Sequence, residues 1–295
     1  MIDARVIALT TLTMIAFAGN SLLCRLALDQ SSIDPASFTT IRVASGALTL
    51  WVIVQVFRGK RTKSAGSWFS ALALIAYAAG FSFAYVSLTA ASGALLLFVA
   101  VQATMIGYGL WRGERFRRVQ TVGLVLALGG LIGLLLPGLS APPLHGSMLM
   151  LAAGVAWGVY SLRGKSAGDP LAATAGNFLR AVPVACALSV LLLPKTAVDS
   201  AGFWYAVSSG AITSGIGYSI WYAVLPALKS TEAATVQLSV PVIAAVGGII
   251  LLSEPITLRL VLASVAILGG IALVIQKQSA EAAPGAASAE NPSQR

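Results

Sequence analysis

The sequence predicts an all-α integral membrane protein, with ten transmembrane helices arranged as two inverted five-helix repeats. Three observations carry that prediction. The chain of 295 residues is 57% hydrophobic and only 10% charged, with a mean hydropathy of +0.86. A soluble domain carries about 25% charged residues, so this chain has too few to cover a surface facing water. Its apolar residues run in long windows rather than alternating with polar ones, which selects spanning helices over barrel strands. The second half also echoes the first at an offset near 140 residues.

A bilayer core needs about 20 apolar residues per helix. The first run, 5–28, closes at "DQSSIDP" and is a span rather than a cleaved leader, because more spans follow it. The second, 36–57, stops at the basic loop "RGKRTKSAG". Runs 68–88 and 92–112 are divided only by an Ala-rich break near 89–91, and 119–137 ends at "PGLSAPPLHG". The second half supplies 146–163 before "KSAGDP", 172–193 before "LPKTAVDS", and 203–226 before a second weak break at 227–231. Run 232–252 stops at "SEP", and 258–276 is the tenth. Pro, Gly, Ser and Asp in these breaks are turn chemistry. The repeats are therefore 1–140 and 141–277, and the Ala/Pro/Ser/Glu-rich stretch 278–295 reads as a disordered cytoplasmic tail.

Charge orients the map. With the N-terminus inside, fourteen Lys and Arg residues fall in inner loops and tails and two, Lys195 and Arg259, fall outside. Arg25, Arg42 and Arg180 lie near span ends. That asymmetry places both termini in the cytoplasm. The net charge of +9 is thus a signature of membrane orientation rather than of a nucleic-acid partner.

The repeat is visible in particular residues. Glu114 precedes Gly129 by fifteen positions and Glu254 precedes Gly269 by fifteen. "AFAGNS" at 16–21 matches "AWGVYS" at 156–161, Asp34-Pro35 matches Asp169-Pro170, and Arg42 matches Arg180. Five spans per half is an odd number, so the halves cross in opposite senses, as in secondary transporters whose cargo site lies between the repeats. Five-plus-five inverted spans, with Glu closing the fourth and ninth and Gly-Gly within the fifth and tenth, resemble the drug/metabolite transporter superfamily. Within it, residues 1–277 are similar to the EamA-type ten-helix exporters. The narrower resemblance is to bacterial members that export aromatic and other neutral amino acids. It implies a bacterial inner-membrane protein, monomer or weak homodimer, that exports a small molecule by alternating access. One departure is that Pro241 lies in the ninth span while the fourth has no proline.

Other classes of activity find little support. Cys24 and Cys186 lie in apolar runs, which excludes a disulfide framework or zinc site. His145 has no partner at metal-ligand spacing, so neither metal nor cofactor is expected. No clustered nucleophile or acid–base pair suggests an enzyme. No Asp, Glu, Lys or His falls in mid-span, which predicts weak or indirect proton coupling.

The polar groups at depth are uncharged: Asn20, Ser21, Gln102, Thr104, Tyr160, Ser161, Ser214, Tyr218, Gln237 and Ser239. Amides and hydroxyls either bind a zwitterion or hold helices together. The stretch "IAYAAGFSFAYVSL" sets Tyr77, Phe81 and Tyr85 on one helical face, and Phe81 and Tyr85 match Tyr218 and Tyr222 at offset 137. The candidate cavity residues are therefore Tyr77, Phe81, Tyr85, Phe98, Gln102, Trp157, Tyr160, Ser161, Tyr218, Trp221 and Gln237. The expected partners are a small-molecule cargo and the lipid bilayer. A multidrug or purine/pentose exporter of the same fold is an alternative, and a non-transporting membrane scaffold a remote one. Arg42 and Arg180 are read as interfacial, Glu114 as paired with nearby arginines, and Glu254 as opening a turn before Pro255. Gly129, Gly133 and Gly269-Gly270 are read as sites of close helix approach, within the fold or across a dimer.

Overall fold

The computed structural model describes residues 4–58, 65–113, 117–138, 140–164, 168–193, 196–228 and 230–276. Glu114 and the 278–295 tail lie outside them. All regular structure among the described residues is helical. The first half comprises α1 (Ala4–Gln30), α2 (Pro35–Arg58), α3 (Trp68–Tyr85), α4 (Ala90–Trp111) and α5 (Arg118–Leu135). The second begins with α6 (Leu144–Gly164) and α7 (Pro170–Leu191). Next come α8 (Ser200–Ser208), a π-helix (Ser209–Ile216), α9 (Gly217–Val224) and a 3-10 turn (Leu225–Ala227). The chain then forms α10 (Ser230–Gln237), α11 (Ser239–Leu252) and α12 (Leu258–Gln276). Eight described segments are long and apolar enough to cross a membrane, α10 and α11 together supplying one. The protein is a multi-pass membrane protein.

The helix starts follow from their caps. Asp34 Oδ1 accepts from the backbone N–H of Ala36 and Ser37, and Pro35 is the first residue of α2. Asp169 does the same for α7 through Ala172 N–H, ahead of Pro170. Partial burial pushes the Asp34 carboxyl up, but hydrogen bonds from Ser37, Ala197 and Ala36 outweigh it and hold it below the usual carboxylate range. The Ala-rich break between α3 and α4 comes earlier than the sequence pattern placed it. α3 ends at Tyr85 and Thr89 caps α4 by accepting from Ser92 N–H.

Two predicted spans are interrupted. In the eighth, Gly210, Gly215 and Gly217 lower helix propensity, and hydroxyls compete for carbonyls. Thr213 Oγ1 and Ser214 Oγ both donate to Ser209 O, at 2.6 and 3.0 Å, widening the helix to a π turn. In the ninth, Pro241 has no N–H and its ring crowds the Gln237 carbonyl, so the helix breaks at Leu238. α4, which has no proline, runs unbroken.

The halves interleave. α3 and α4 pack on α6, α2 on α7 and the π-helix, α1 and α4 on α11, and α5 on α12. Every residue of α4 from Ala90 to Gln102 is buried, which makes it a central helix. Of the glycines expected to permit close approach, Gly270 does so and the others do not. Gly129, Gly133 and Gly269 have no atom within 4 Å of where a Cβ would sit. The α5–α12 crossing rests instead on Gly123 against Gly270, where a Cβ on either would lie 2.5 Å from the other's carbonyl oxygen. On α6, Gly154 and Gly158 face Ala100 and Thr104 of α4 in the same way. The register is set by which face meets a neighbouring backbone, and the Gly-Gly pattern alone does not reveal that.

Candidate functional site

Trp157 on α6 stacks on Tyr160 one turn away (centroids 5.2 Å, 24° between planes) and on Tyr218 of α9 (5.4 Å, 19°). Tyr77 on α3 meets the same indole at 4.7 Å and its own neighbour Phe81 at 5.4 Å. Phe17 on α1 reaches Tyr218 at 5.6 Å and Trp221 at 6.0 Å. Rings from both halves thus converge in tilted and offset arrangements of the favoured kind. They form the wall of a cavity of about 850 Å³.

Ten of the eleven candidate residues line this cavity: Tyr77, Phe81, Phe98, Gln102, Trp157, Tyr160, Ser161, Tyr218, Trp221 and Gln237. Tyr85 is the exception and is a correction. Its ring is wholly buried against Phe81 (4.7 Å) and Gly93, and its hydroxyl donates to Ala90 O at 3.3 Å. It is packing beyond the end of the cavity. The three-ring stripe therefore divides, with Tyr77 and Phe81 on the wall and Tyr85 behind it.

The cavity reaches one end of the bundle and stops short of the other. Its lining includes Tyr108 and Gly109 late in α4, Leu162 and Gly164 late in α6, and Pro170 at the start of α7. At the far end, past Phe81, a polar staple joins the halves. Glu254 Oε1 and Oε2 accept from Ala90 N–H at the start of α4, at 3.1 and 2.9 Å. Oε1 also accepts from Arg25 Nε at 3.2 Å, and Arg25 Nη1 donates to Tyr85 O at 3.1 Å. Arg25 is paired in addition with Asp29 at 2.9 Å. Ser253, in the left-handed region (φ 53°), turns the chain so that the carboxylate points at the α4 N-terminus, a favoured seat for an anion. Burial raises the Glu254 carboxyl above the usual carboxylate range, against the opposing pull of Ala90 N–H and Arg25. Glu254 is thus a cross-half tie, and more than the opening of a turn before Pro255.

Two hydrogen-bonded clusters stand behind the rings. In one, Tyr160 Oη donates to Thr174 Oγ1 (3.2 Å), which donates to Tyr222 Oη (3.3 Å). In the other, Tyr77 Oη accepts from Asn20 Nδ2 (3.1 Å) and from Arg42 Nη2 (3.0 Å). The Asn20 amide oxygen accepts from Ser209 (2.7 Å) and Thr213 (3.4 Å), hydroxyls that the π-helix turns inward. Arg42 corrects the interfacial reading. It sits seven residues into α2, about 10 Å along the axis at 1.5 Å per residue, and is only 2% exposed. Its guanidinium lies over the Phe81 ring at 4.9 Å. The signal in the sequence was Arg42 standing in an otherwise uncharged run, but distance from a helix end does not say which way a side chain turns.

Comparison with known proteins places this architecture. Residues 144–276 match the EamA-like transporter family. An uncharacterised protein of Pseudomonas aeruginosa is 53% identical over 96% of this chain and 99% of its own. An uncharacterised transporter of Archaeoglobus fulgidus is 26% identical over 83% of this chain and 89% of its own. The threonine/homoserine exporter RhtA of Salmonella typhimurium is 31% identical over 48% of this chain and 49% of its own. A solved crystal structure at 20% identity covers 90% of this chain and 99% of its own with a TM-score of 0.63, a likeness of fold. With a helical membrane bundle, converging aromatic walls and these relatives, the chain belongs to the EamA-like transporter family, whose members move small metabolites and are not enzymes.

Proposed function

We propose that this protein exports amino acids, aromatic or neutral, or similar small metabolites across a bacterial inner membrane by alternating access. In this reading α6 and the α8–α9 run complete ten spans, and α1–α5 and α6–α12 are the two inverted repeats. The basic loops put both termini in the cytoplasm, so the cavity faces the cytoplasm and the Arg25–Glu254 staple closes the periplasmic end. The protein acts as a monomer or weak homodimer. The carrying observation is a cavity walled by rings from both halves of the chain and lined by Gln102 and Gln237. Rings with polar tips suit a cargo with an apolar side chain and hydrogen-bonding ends, and the threonine/homoserine exporter among the relatives points the same way.

The test is a proteoliposome flux screen over the amino acids, with purine nucleosides, pentoses and cationic dyes as competitors. Neutral amino acids should be moved and should compete with one another. Competition by nucleosides or dyes alone would transfer the assignment to the alternative exporter classes. Tyr77→Ala and Tyr218→Ala should each cut flux about tenfold or more while the protein still folds, because each removes a ring of the shared wall. Normal flux in both variants would reduce the rings to packing. Uptake should also proceed without an imposed pH step, and strict dependence on one would overturn the expectation of weak proton coupling.

A further inference from the structure

The Arg42 side chain is a buried cation with an unspent donor. No carboxylate among the described residues pairs with it; the salt bridges formed there are those of Arg25. Nη2 is used on Tyr77, but the buried Nη1 has no hydrogen-bond partner. A guanidinium at this depth is costly unless compensated, and a buried donor left unmade costs free energy as well.

The bonds around it have a direction. Ser209 and Thr213 donate to Asn20, and Asn20 and Arg42 both donate to Tyr77 Oη. A phenol oxygen that accepts twice has its own proton left to give. Among the described residues nothing accepts it, and Tyr77 lies on the cavity wall. The cluster therefore holds an O–H on the cavity wall and, behind the Tyr77 and Phe81 rings that form that wall, a guanidinium N–H, with no anion among the described residues to receive them. A carboxylate, with two oxygens and four lone-pair sites, is the group that fits a guanidinium fork beside a hydroxyl.

The repeat supplies an internal contrast. Arg180, the sequence counterpart of Arg42, uses its Nη1 on two backbone carbonyls, Ala65 O at 2.8 Å and Gly176 O at 2.9 Å. One arginine of the pair ties the chain together, and the other has its Nη1 unspent.

We infer that Arg42 and the Tyr77 hydroxyl form the receptor for a carboxylate on the transported molecule. This rests on the reading of the cavity as the cargo site and narrows its cargo to amino acids and other small carboxylates, since nucleosides, pentoses and cationic drugs would leave the guanidinium unpaired.

Calorimetric titration of the purified full chain tests it with two isosteric pairs: phenylacetate against phenylacetamide, and L-phenylalanine against L-phenylalaninamide. The wild type should bind each acid about tenfold or more tightly than its amide, the scale of a charge-assisted hydrogen bond. Arg42→Gln should bring the acid down to the amide's affinity and leave the amide where it was. Equal affinities in the wild type, no binding of either acid, or a loss that Arg42→Gln inflicts on acid and amide alike would each overturn the inference. If Arg42→Gln does not fold, Arg42→Lys keeps the charge without the fork and should lower the acid preference about threefold or more; an unchanged preference would overturn it. An Arg42-dependent acid preference in a protein that moves no amino acid in liposomes would preserve the receptor and remove the transport assignment. Flux without any acid preference would do the reverse.

Discussion

Gly270→Leu should lower the thermal midpoint sharply and leave little monodisperse protein, while Gly129→Leu should be nearly silent. At Gly270 a Cβ would meet Gly123 O at 2.5 Å and Ala127 N at 2.7 Å. Both are backbone atoms that cannot rotate aside, so α5 and α12 must separate along their length. Overpacking of this kind costs about 3 kcal/mol, with a larger side chain at the upper end. Gly129 is on the same helix as Gly123 but faces outward, with nothing within 4 Å. Substitutions at such sites usually stay within about 0.5 kcal/mol. Melting curves in detergent decide the matter. Equal midpoints for the two variants would mean that the α5–α12 crossing is not held by Gly123 and Gly270.

The second large effect is expected at the closed end. Glu254→Ala removes the acceptor for Ala90 N–H and for Arg25 Nε together, leaving Arg25 with Asp29 and the Tyr85 carbonyl. Hydrogen bonds to charged groups contribute about 1.5–3 kcal/mol each, so the closed arrangement should lose at least a factor of ten against its opened alternative. A cysteine at Ser21, on the wall and nearly inaccessible when the end is closed, reports this in a background lacking Cys24 and Cys186. A membrane-impermeant maleimide applied from the Arg25 face should label it about tenfold faster in the Glu254→Ala variant. Identical rates would show that the staple does not hold the end shut.

The sequence and the structure agree where local chemistry decides and part where neighbours do. Helix starts at Pro35 and Pro170 were legible because an Asp-Pro step satisfies free N–H groups and presets the first turn whatever surrounds it. The break in the ninth span has an equally local cause in Pro241, but the apolar run 232–252 reads as one helix, so the interruption emerged only in the structure. The π turn was not legible, because Ser209 and Thr213 are ordinary helix residues until a partner such as Asn20 takes their hydroxyls inward. Tyr77, Phe81 and Tyr85 share one helical face by periodicity, yet only Gly93 beside the Tyr85 ring, a neighbour in another helix, takes that ring out of the cavity.

By itself, the sequence determined the solvent, the element type and the family resemblance, because these depend on how many apolar residues run together and on the spacing of a few prolines, glycines and charges. Only the tertiary structure decided which glycines meet, that Glu254 joins α11 to α4 and α1, and that Arg42 turns inward. Those outcomes depend on rotation about a helix axis and on which partner stands across from it. In a chain this uniformly apolar, the hydrophobic pattern does not distinguish one helix face from another, so the faces are set by close packing of backbones and by the few polar groups that must find one another.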